Sequence, residues 1–457
     1  LAEGVHALGY QSADNVENME VLRSTTVLVD ATAPVSTFSF GVPLFIAADG
    51  TRYVTPATQL AFSAGDPASN GVASGVERIE VSVDGAAFAA YAAALTFAEG
   101  RHTVLFRAID RVGNVETVRR LDLQSDNTSP RTSLAVLGGR QFPGPDAASF
   151  YASLDTSLGL PAVDPVVNGV AAGLAFTRWQ DTGGPFKTYA SPFTLSEGVH
   201  PLAYQSADNV QNLEVPRSTT VLVDATPPVS ALSIGAPQFP WPGVLLVSSR
   251  TPFSLSAVDP RVSGVVSGVR DIFWRVSDSL APGAFSAYAA PFTLGGADAL
   301  KTVDSYARDN VVNVEAVKST TVLLDATPPE LALLSPPACG GGICRVLSGG
   351  VPALGSVRDI HLRGWRLEAA PGRGAAAGFV AIASGTAQVS SGTLGRWDTT
   401  VMPGWRTLRL GAEDLVQYAR RRGYRRGREN LRGRHAQRPR GRLLLYRRAL
   451  GVLRPCR

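Results

Sequence analysis

Apolar and polar residues alternate along most of this chain with a period of two, not 3.6. In Thr103-Val104-Leu105-Phe106-Arg107-Ala108-Ile109-Asp110, Val104, Phe106 and Ala108 share one face, and Thr103 and Arg107 lie on the other. Thr219-Thr220-Val221-Leu222-Val223-Asp224 is a β-branched run closed by Asp-Ala-Thr-Pro-Pro, and the prolines cannot continue a hydrogen-bonded ladder. Between two such strands stands Asp-x-x-x-Asn, which predicts a short hairpin turn. Asp caps the turn's N–H groups, and Asn tolerates positive φ. Short strands broken by Gly, Pro and Asp predict an all-β fold of the β-sandwich kind.

The strands recur as a long repeat. Gly4 to Val16 returns almost verbatim from Gly198 to Val210, with looser copies from Gly100 to Val112 and from Ala299 to Val311. With Asp14, Asp110, Asp208 and Asp309 as origins, the spacings are 96, 98 and 101 residues. Asn follows four residues later (Asn18, Asn114, Asn212, Asn313) and Glu six later (Glu20, Glu116, Glu214, Glu315). Asp follows at sixteen (Asp30, Asp126, Asp224, Asp325) and Pro at twenty (Pro34, Pro130, Pro228, Pro329). A second block, Asp66-Pro67, Asp164-Pro165 and Asp259-Pro260, carries Gly at five and nine positions on. A near-hundred-residue period of short strands marks a chain of separate domains.

The run Gly4-x-His6, Asp14-Asn15-x-x-Asn18-x-Glu20, then Thr25-Thr26-Val27-x-Val29-Asp30-x-Thr32-x-Pro34 resembles the tandem immunoglobulin-like repeats of bacterial secreted and cell-surface proteins. Some of these are grouped as an outer-membrane-protein-type β-barrel domain. The resemblance covers about residues 1–329. It implies a string of Ig-like modules outside the cytoplasm and implies no catalytic residues, because that family shares no active site. One departure stands out: the family's Gly before Asn survives only as Gly113, with Glu17, Gln211 and Val312 in the other copies.

The expected organisation is a partial Ig-like module of closing strands over 1–34, then Ig-like modules over 35–130, 131–228 and 229–329. A divergent, truncated module follows over 330–417, and then an Arg-rich tail over 418–457. In the truncated module Trp405 to Asp414 repeats the strand-then-Asp pattern, but the closing Val/Thr strand is replaced by Tyr418-Ala419-Arg420-Arg421-Arg422.

Composition fits this picture. Of 457 residues 46 are Gly and 31 Pro, about one in six, which argues against long helices. No apolar run reaches the roughly 18 residues of a membrane-spanning helix. The net charge of +5 is uneven. Residues 418–457 hold 15 Arg against one acid, Glu429, so residues 1–417 carry 28 basic and 37 acidic groups, or −9. Nucleic-acid binding by 1–417 is therefore not expected, since phosphate contacts need clustered Lys and Arg. Three readings of the tail stand open: an RNA or anionic-surface binder, a solvated extension, or out-of-frame translation. The chain begins at Leu1 rather than Met, which is read as a truncated N-terminus and leaves a lost signal peptide open.

The acidic repeat positions are the main candidates for chemistry. In an Ig-like sandwich the loop after the second strand, the last hairpin and the entry to the first strand meet at one pole. That would gather Asp30, Asp66, Asp110 and Asn114; Asp126, Asp164, Asp208 and Asn212; Asp224, Asp259, Asp309 and Asn313; and Asp325, Asp359 and Asp414. Several carboxylates plus carbonyls are a start towards the six to eight oxygens of an interdomain Ca²⁺ site. The plainer alternative is that each Asp caps loop N–H groups.

Other residues point to structure. His6, His102 and His200 share one position with Lys301, so a nucleophile–base pair or zinc set is broken there, and a solvent-facing role at a strand end is expected. His361 and His435 are read the same way. Cys339 and Cys344, in Cys-Gly-Gly-Gly-Ile-Cys, are candidates for a small disulfide loop, with free thiols or a metal as alternatives. No Gly-x-Ser-x-Gly, His-Glu-x-x-His or phosphate-cradling loop occurs.

The sequence thus reads as a non-catalytic extracellular stalk or adhesin, with an unidentified extracellular protein or glycan as partner. Two alternatives remain: spacer modules of a larger secreted enzyme, or a carbohydrate-binding array using Trp179, Trp241, Trp274 and Trp365. Trp179 and Trp274 fall in a strand where a core role is the commoner fate.

Overall fold

The computed structural model describes residues 1–278, 281–336, 347–401 and 404–416. Cys339, Cys344, His435 and the Arg-rich segment 418–457 lie outside the described residues, as does the disulfide expectation. Strands such as Val35–Phe40, Leu60–Gly65 and Glu330–Ser335 alternate in burial as the period-two pattern predicts. The chain forms two compact units, one of Leu1–Ala225 with Val262–Val265, the other of the remaining described residues from Thr226 on.

In the first unit the strands Val35–Phe40 and Leu60–Gly65 pair antiparallel as one thin sheet. The facing sheet runs in the order Leu44–Ile46, Arg52–Val54, Arg119–Ser125, Gly100–Asp110, Val76–Val83, Ala89–Ala90. Arg52–Val54 joins Arg119–Ser125 in parallel, and the other pairings are antiparallel. Between the layers lie Val54, Leu60, Phe62, Val81, Phe97, Val104, Phe106, Leu121 and Leu123. Alternation puts Val104, Phe106 and Ala108 on the inward side, all at most 1% exposed. The next copy repeats the arrangement: Ser149–Ala152 pairs in parallel with Arg217–Val223, beside Gly198–Asp208 and Leu174–Asp181. Its core holds Ala152, Leu158, Leu202, Val221 and Val223.

The first copy holds only the closing hairpin, Gly4–Tyr10 paired with Arg23–Val29. Leu8 and Tyr10 occupy the register of Val104 and Phe106, yet are 38% and 54% exposed because no facing sheet covers them.

In the second unit Val229–Ile234 pairs with Phe253–Val258. The larger sheet is centred on Ala299–Asp309, flanked by Lys318–Leu324 and Val269–Asp278. The last module is built differently, from two three-stranded sheets. One is Glu330–Ser335, Gly350–Arg358, Val389–Asp398; the other is Val380–Gly385, Leu362–Pro371, Arg406–Asp414. Ala353, Val357, Trp365, Leu367, Leu394 and Leu410 fill the space between.

Candidate metal centres at the sandwich poles

The recurring aspartates take their positions from strand ends. Asp66 follows Leu60–Gly65, Asp110 closes Gly100–Asp110, and Asp30 precedes Val35–Phe40. One carboxylate oxygen from each lies within 4.8 Å of the other two, and Asp126, Asp164 and Asp208 gather in the same way.

The local sequence dictates most partners of these oxygens. Asp110 Oδ1 accepts from the Val112 and Asn114 N–H groups (3.0 and 2.7 Å), and Oδ2 accepts from Asn114 Nδ2 at 2.7 Å. Gly75, nine residues after Asp66, has φ +84°, a left-handed conformation suited to glycine, and donates its N–H to Asp66 Oδ2 at 2.6 Å. Asp30 Oδ1 accepts from Thr32 N (3.1 Å) and Oδ2 from Ser74 N (2.6 Å). The second site matches bond for bond. Asp126 accepts from Thr128 N (3.0 Å) and Ala172 N (2.6 Å), and Asp164 Oδ2 from Gly173 N (2.7 Å). Asp208 accepts from Val210 N, Asn212 N and Asn212 Nδ2 at 2.7–2.9 Å. The remaining oxygens, Asp66 Oδ1 and Asp164 Oδ1, are buried without a hydrogen-bond partner.

The asparagines of the expected ligand sets face the sites with nitrogen. Asn114 Nδ2 donates to Asp110 Oδ2 and to Asp30 O (3.2 Å); Asn212 Nδ2 donates to Asp208 Oδ2 and to Asp126 O (3.0 Å). As placed they donate to the carboxylates and offer no oxygen to a cation.

Enclosure sets the charge balance of the two sites. Asp30 is half-buried, and its bonds from Ser74 hold its pKa below the usual carboxylate range. Burial pushes Asp110 up, but the bonds from Asn114 outweigh it and the net shift is downward. Asp126 is fully buried at the end of a complete sandwich. There burial, followed by the charges of Asp126 and Asp208, raises Asp164 to about 6, and burial also carries Asp208 upward.

The third expected group divides between the units. Asp224 is fully buried in the first, and its N–H donates to Ala152 O at 2.9 Å. In the second, Asp259 Oδ2 accepts from Gly268 N at 2.6 Å, and Asp309 accepts from Asn313 N (2.8 Å) and Asn313 Nδ2 (2.7 Å).

The fourth site differs. Asp325, Asp359 and His361 bring ligand atoms within 4.8 Å of one another. His361 Nδ1 lies 3.0 Å from Asp325 Oδ2, and the His361 N–H donates to Asp359 Oδ1 at 2.8 Å. Asp359 Oδ2 is buried without a hydrogen-bond partner. Burial, then the charge of Asp414, pushes Asp325 upward; burial also carries Asp359 upward, against the opposing pull of its bond from His361 N.

The solvent-facing expectation for the histidines is corrected. His361 is 9% exposed, in a T-shaped contact with Trp241 at 5.1 Å between ring centroids. His200 is also 9% exposed, with Nδ1 2.8 Å from Asp181 Oδ2 and Nε2 2.8 Å from Ser196 O. His102 repeats this with Asp84 and Ala98 O, both at 2.8 Å. Lys301 is 6% exposed, its Nζ 3.6 Å from Asp278 Oδ2. The physical reason is parity: residues 102, 104, 106 and 108 share the inward face. His6, half-buried, has Nε2 2.6 Å from Ala2 O.

The repeat glutamates had no role assigned from sequence. Glu116 accepts from Ser36 N and Ala108 N at 3.0 and 2.9 Å, and Glu315 accepts from Ser230 N and Ala307 N in the same way. Glu214 accepts from Thr132 N. Each ties the closing hairpin to the first strand of its own sandwich. A buried main-chain N–H there needs an acceptor, which is the signal a strict Glu spacing carries.

The tryptophans are packed. Trp179 stacks on Phe193 at 3.9 Å and Trp274 on Phe292 at 3.6 Å. Trp365 is 7% exposed, and its Nε1 donates to Ala387 O at 2.9 Å.

The fold and these sites define an array of β-sandwich modules. No family model matches the chain, and no curated protein matches it in sequence. Among solved structures it is similar to the fibronectin(III)-like modules of Clostridium thermocellum CbhA, at 10% identity and TM-score 0.24, over 43% of this chain and 95% of that one. It is also similar to the FN1–FN3 domains of chicken CNTN1, at 8% identity and TM-score 0.21, over 59% of this chain and 95% of that one. The fold assignment rests on the strand pairings. No helix among the described residues is long and apolar enough to cross a membrane.

Proposed function

We propose that this chain is a non-catalytic module array that acts outside the cell as a stalk or adhesin. The observation that carries this reading is the repeated lock between consecutive copies in the first unit. The Asp that ends one copy accepts a backbone N–H from the next (Asp30 from Ser74, Asp126 from Ala172), and an Asn of the next donates to that Asp's carbonyl. The loop tips add Asn70 Nδ2 to Glu3 O (3.3 Å) and Asn168 Nδ2 to Glu99 O (3.2 Å). Bonds that hold short linkers in one geometry suit load-bearing or spacing. Five of the six carboxylate oxygens at each of these two sites accept N–H groups, which favours capping over Ca²⁺ as their role. The stacked Trp179 and Trp274 favour a stalk or protein-binding array over a glycan-binding one.

Binding of the full chain to arrays of glycans and matrix proteins, paired with small-angle scattering, tests the proposal. An adhesin binds saturably, and a stalk scatters as an extended particle without binding. A compact particle that binds nothing contradicts both.

A further inference from the structure

The fourth pole departs from the others in both its donors and its acceptors. At the first two, a Gly nine residues after the loop Asp and an Asn four residues after the hairpin Asp supply N–H groups to the carboxylates. In the last module the position four after Asp414 is Tyr418, and the loop runs Asp359-Ile360-His361. Acidic side chains still converge there, and an imidazole enters where the others have none.

We propose that Asp325, Asp359 and His361 form a binding site for a divalent first-row transition metal of the Zn²⁺ class, clamping the last module to the sandwich before it. Four observations point to a ligand. Asp325 and His361 are buried, 6% and 9% exposed. Asp359 Oδ2 is a wholly buried carboxylate oxygen with no hydrogen-bond partner, as Asp66 Oδ1 and Asp164 Oδ1 are at the capped poles, so the imidazole is what sets this pole apart. The three ligand atoms lie within 4.8 Å of one another, and Asp325 Oδ2 and His361 Nδ1 are 3.0 Å apart. Two ligands at bonds of about 2.1 Å and the tetrahedral angle on one ion stand about 3.4 Å apart, a few tenths of an ångström wider than this pair. The ligand set then chooses the metal: Ca²⁺ and Mg²⁺ take all-oxygen shells, whereas an imidazole nitrogen with carboxylates suits Zn²⁺ and its neighbours. Binding would displace any proton shared between Asp325 and His361 and give Asp359 Oδ2 its missing partner. The site does not depend on whether the array is a stalk or an adhesin.

Calorimetric titration of the full chain with Zn²⁺ alone, under a non-thiol reductant, tests this. One tight equivalent is expected at His361 and its partners, with Ca²⁺ at least tenfold weaker. His361→Gln and Asp359→Asn should each weaken that equivalent at least tenfold, with unchanged circular dichroism confirming that they fold. X-ray absorption on the Zn²⁺-loaded full chain supplies a readout that needs no variant: a nitrogen/oxygen shell with imidazole scattering is expected. Absence of binding, equal binding by His361→Gln, equal affinity for Ca²⁺, or sulfur in the shell would each overturn the proposal.

Discussion

Asp126, the last aspartate of one sandwich, accepts a 2.6 Å hydrogen bond from the buried N–H of Ala172 in the next copy. The same carboxylate caps Thr128 N at 3.0 Å, so one side chain fixes both the linker and its neighbour. Asp126→Ala leaves that buried N–H without an acceptor, at a cost of about 1–3 kcal/mol. Denaturant unfolding of the full chain should show the loss, and Asp126→Asn, which keeps one acceptor oxygen, should lose less.

Asp164 gives a pH dependence with a definite sign. Its carboxyl takes up a proton near 6 in the folded protein, against 3.8 ordinarily. An acid whose folded pKa is raised contributes stability that is fully present below 3.8 and lost as pH rises through about 6. The whole shift corresponds to about 3 kcal/mol, and partial exposure with ionic screening cuts that to about 1 kcal/mol. Asp164→Asn should therefore melt higher than the parent at pH 7.5 and lose that advantage by pH 4. A parent that melts higher at pH 7.5 would refute the charge imbalance.

Val312 holds φ +71°, where the second copy has Gly113 at +95°. A β-branched residue in the left-handed region is strained, typically by about 1–2 kcal/mol. Val312→Gly should raise stability by about 1 kcal/mol, read from the denaturation midpoint. Glu17 and Gln211 occupy the equivalent turn at +70° and +71° with unbranched side chains, so glycine should help less there.

Trp179 separates the structural role from sugar binding. Its ring lies parallel to Phe193 at 3.9 Å and packs against the core of its sandwich. Trp179→Ala should cost about 2–4 kcal/mol in thermal or chemical unfolding and leave glycan-array signals unchanged.

The sequence and the structure agree best where a rule repeats. Period-two alternation placed Val104 and Phe106 in the core, and the Asp-x-x-x-Asn spacing located the hairpins that Asp110 and Asp208 cap. The convergence of Asp30 with Asp66 and Asp110 was legible because three strand ends meet at one pole of a sandwich. His200 shares the parity of Leu202 and Tyr204 and so lies on the inward face; polarity alone points it to solvent, and its half-buried partner Asp181 lies 19 residues away. His361 was illegible for another reason: repeat register gathers Asp325 with Asp359, but the equivalent of His361 in the other copies is Ala68, Val166 or Arg261, so no recurrence marks it. The glutamates were seen to recur, but acceptors for Ser36 N and Thr132 N become visible only once the first strand lies beside the hairpin.

Each of the three recurrences, at spacings of 96, 98 and 101 residues, encloses its own hydrophobic core. Mechanical unfolding of the full chain, one molecule at a time, tests this most directly. Independent sandwiches should rupture one by one, with successive contour-length gains of about 30 nm, the span of one extended repeat less its folded length. A single rupture that releases the whole chain at once, or gains unrelated to the repeat, would contradict it.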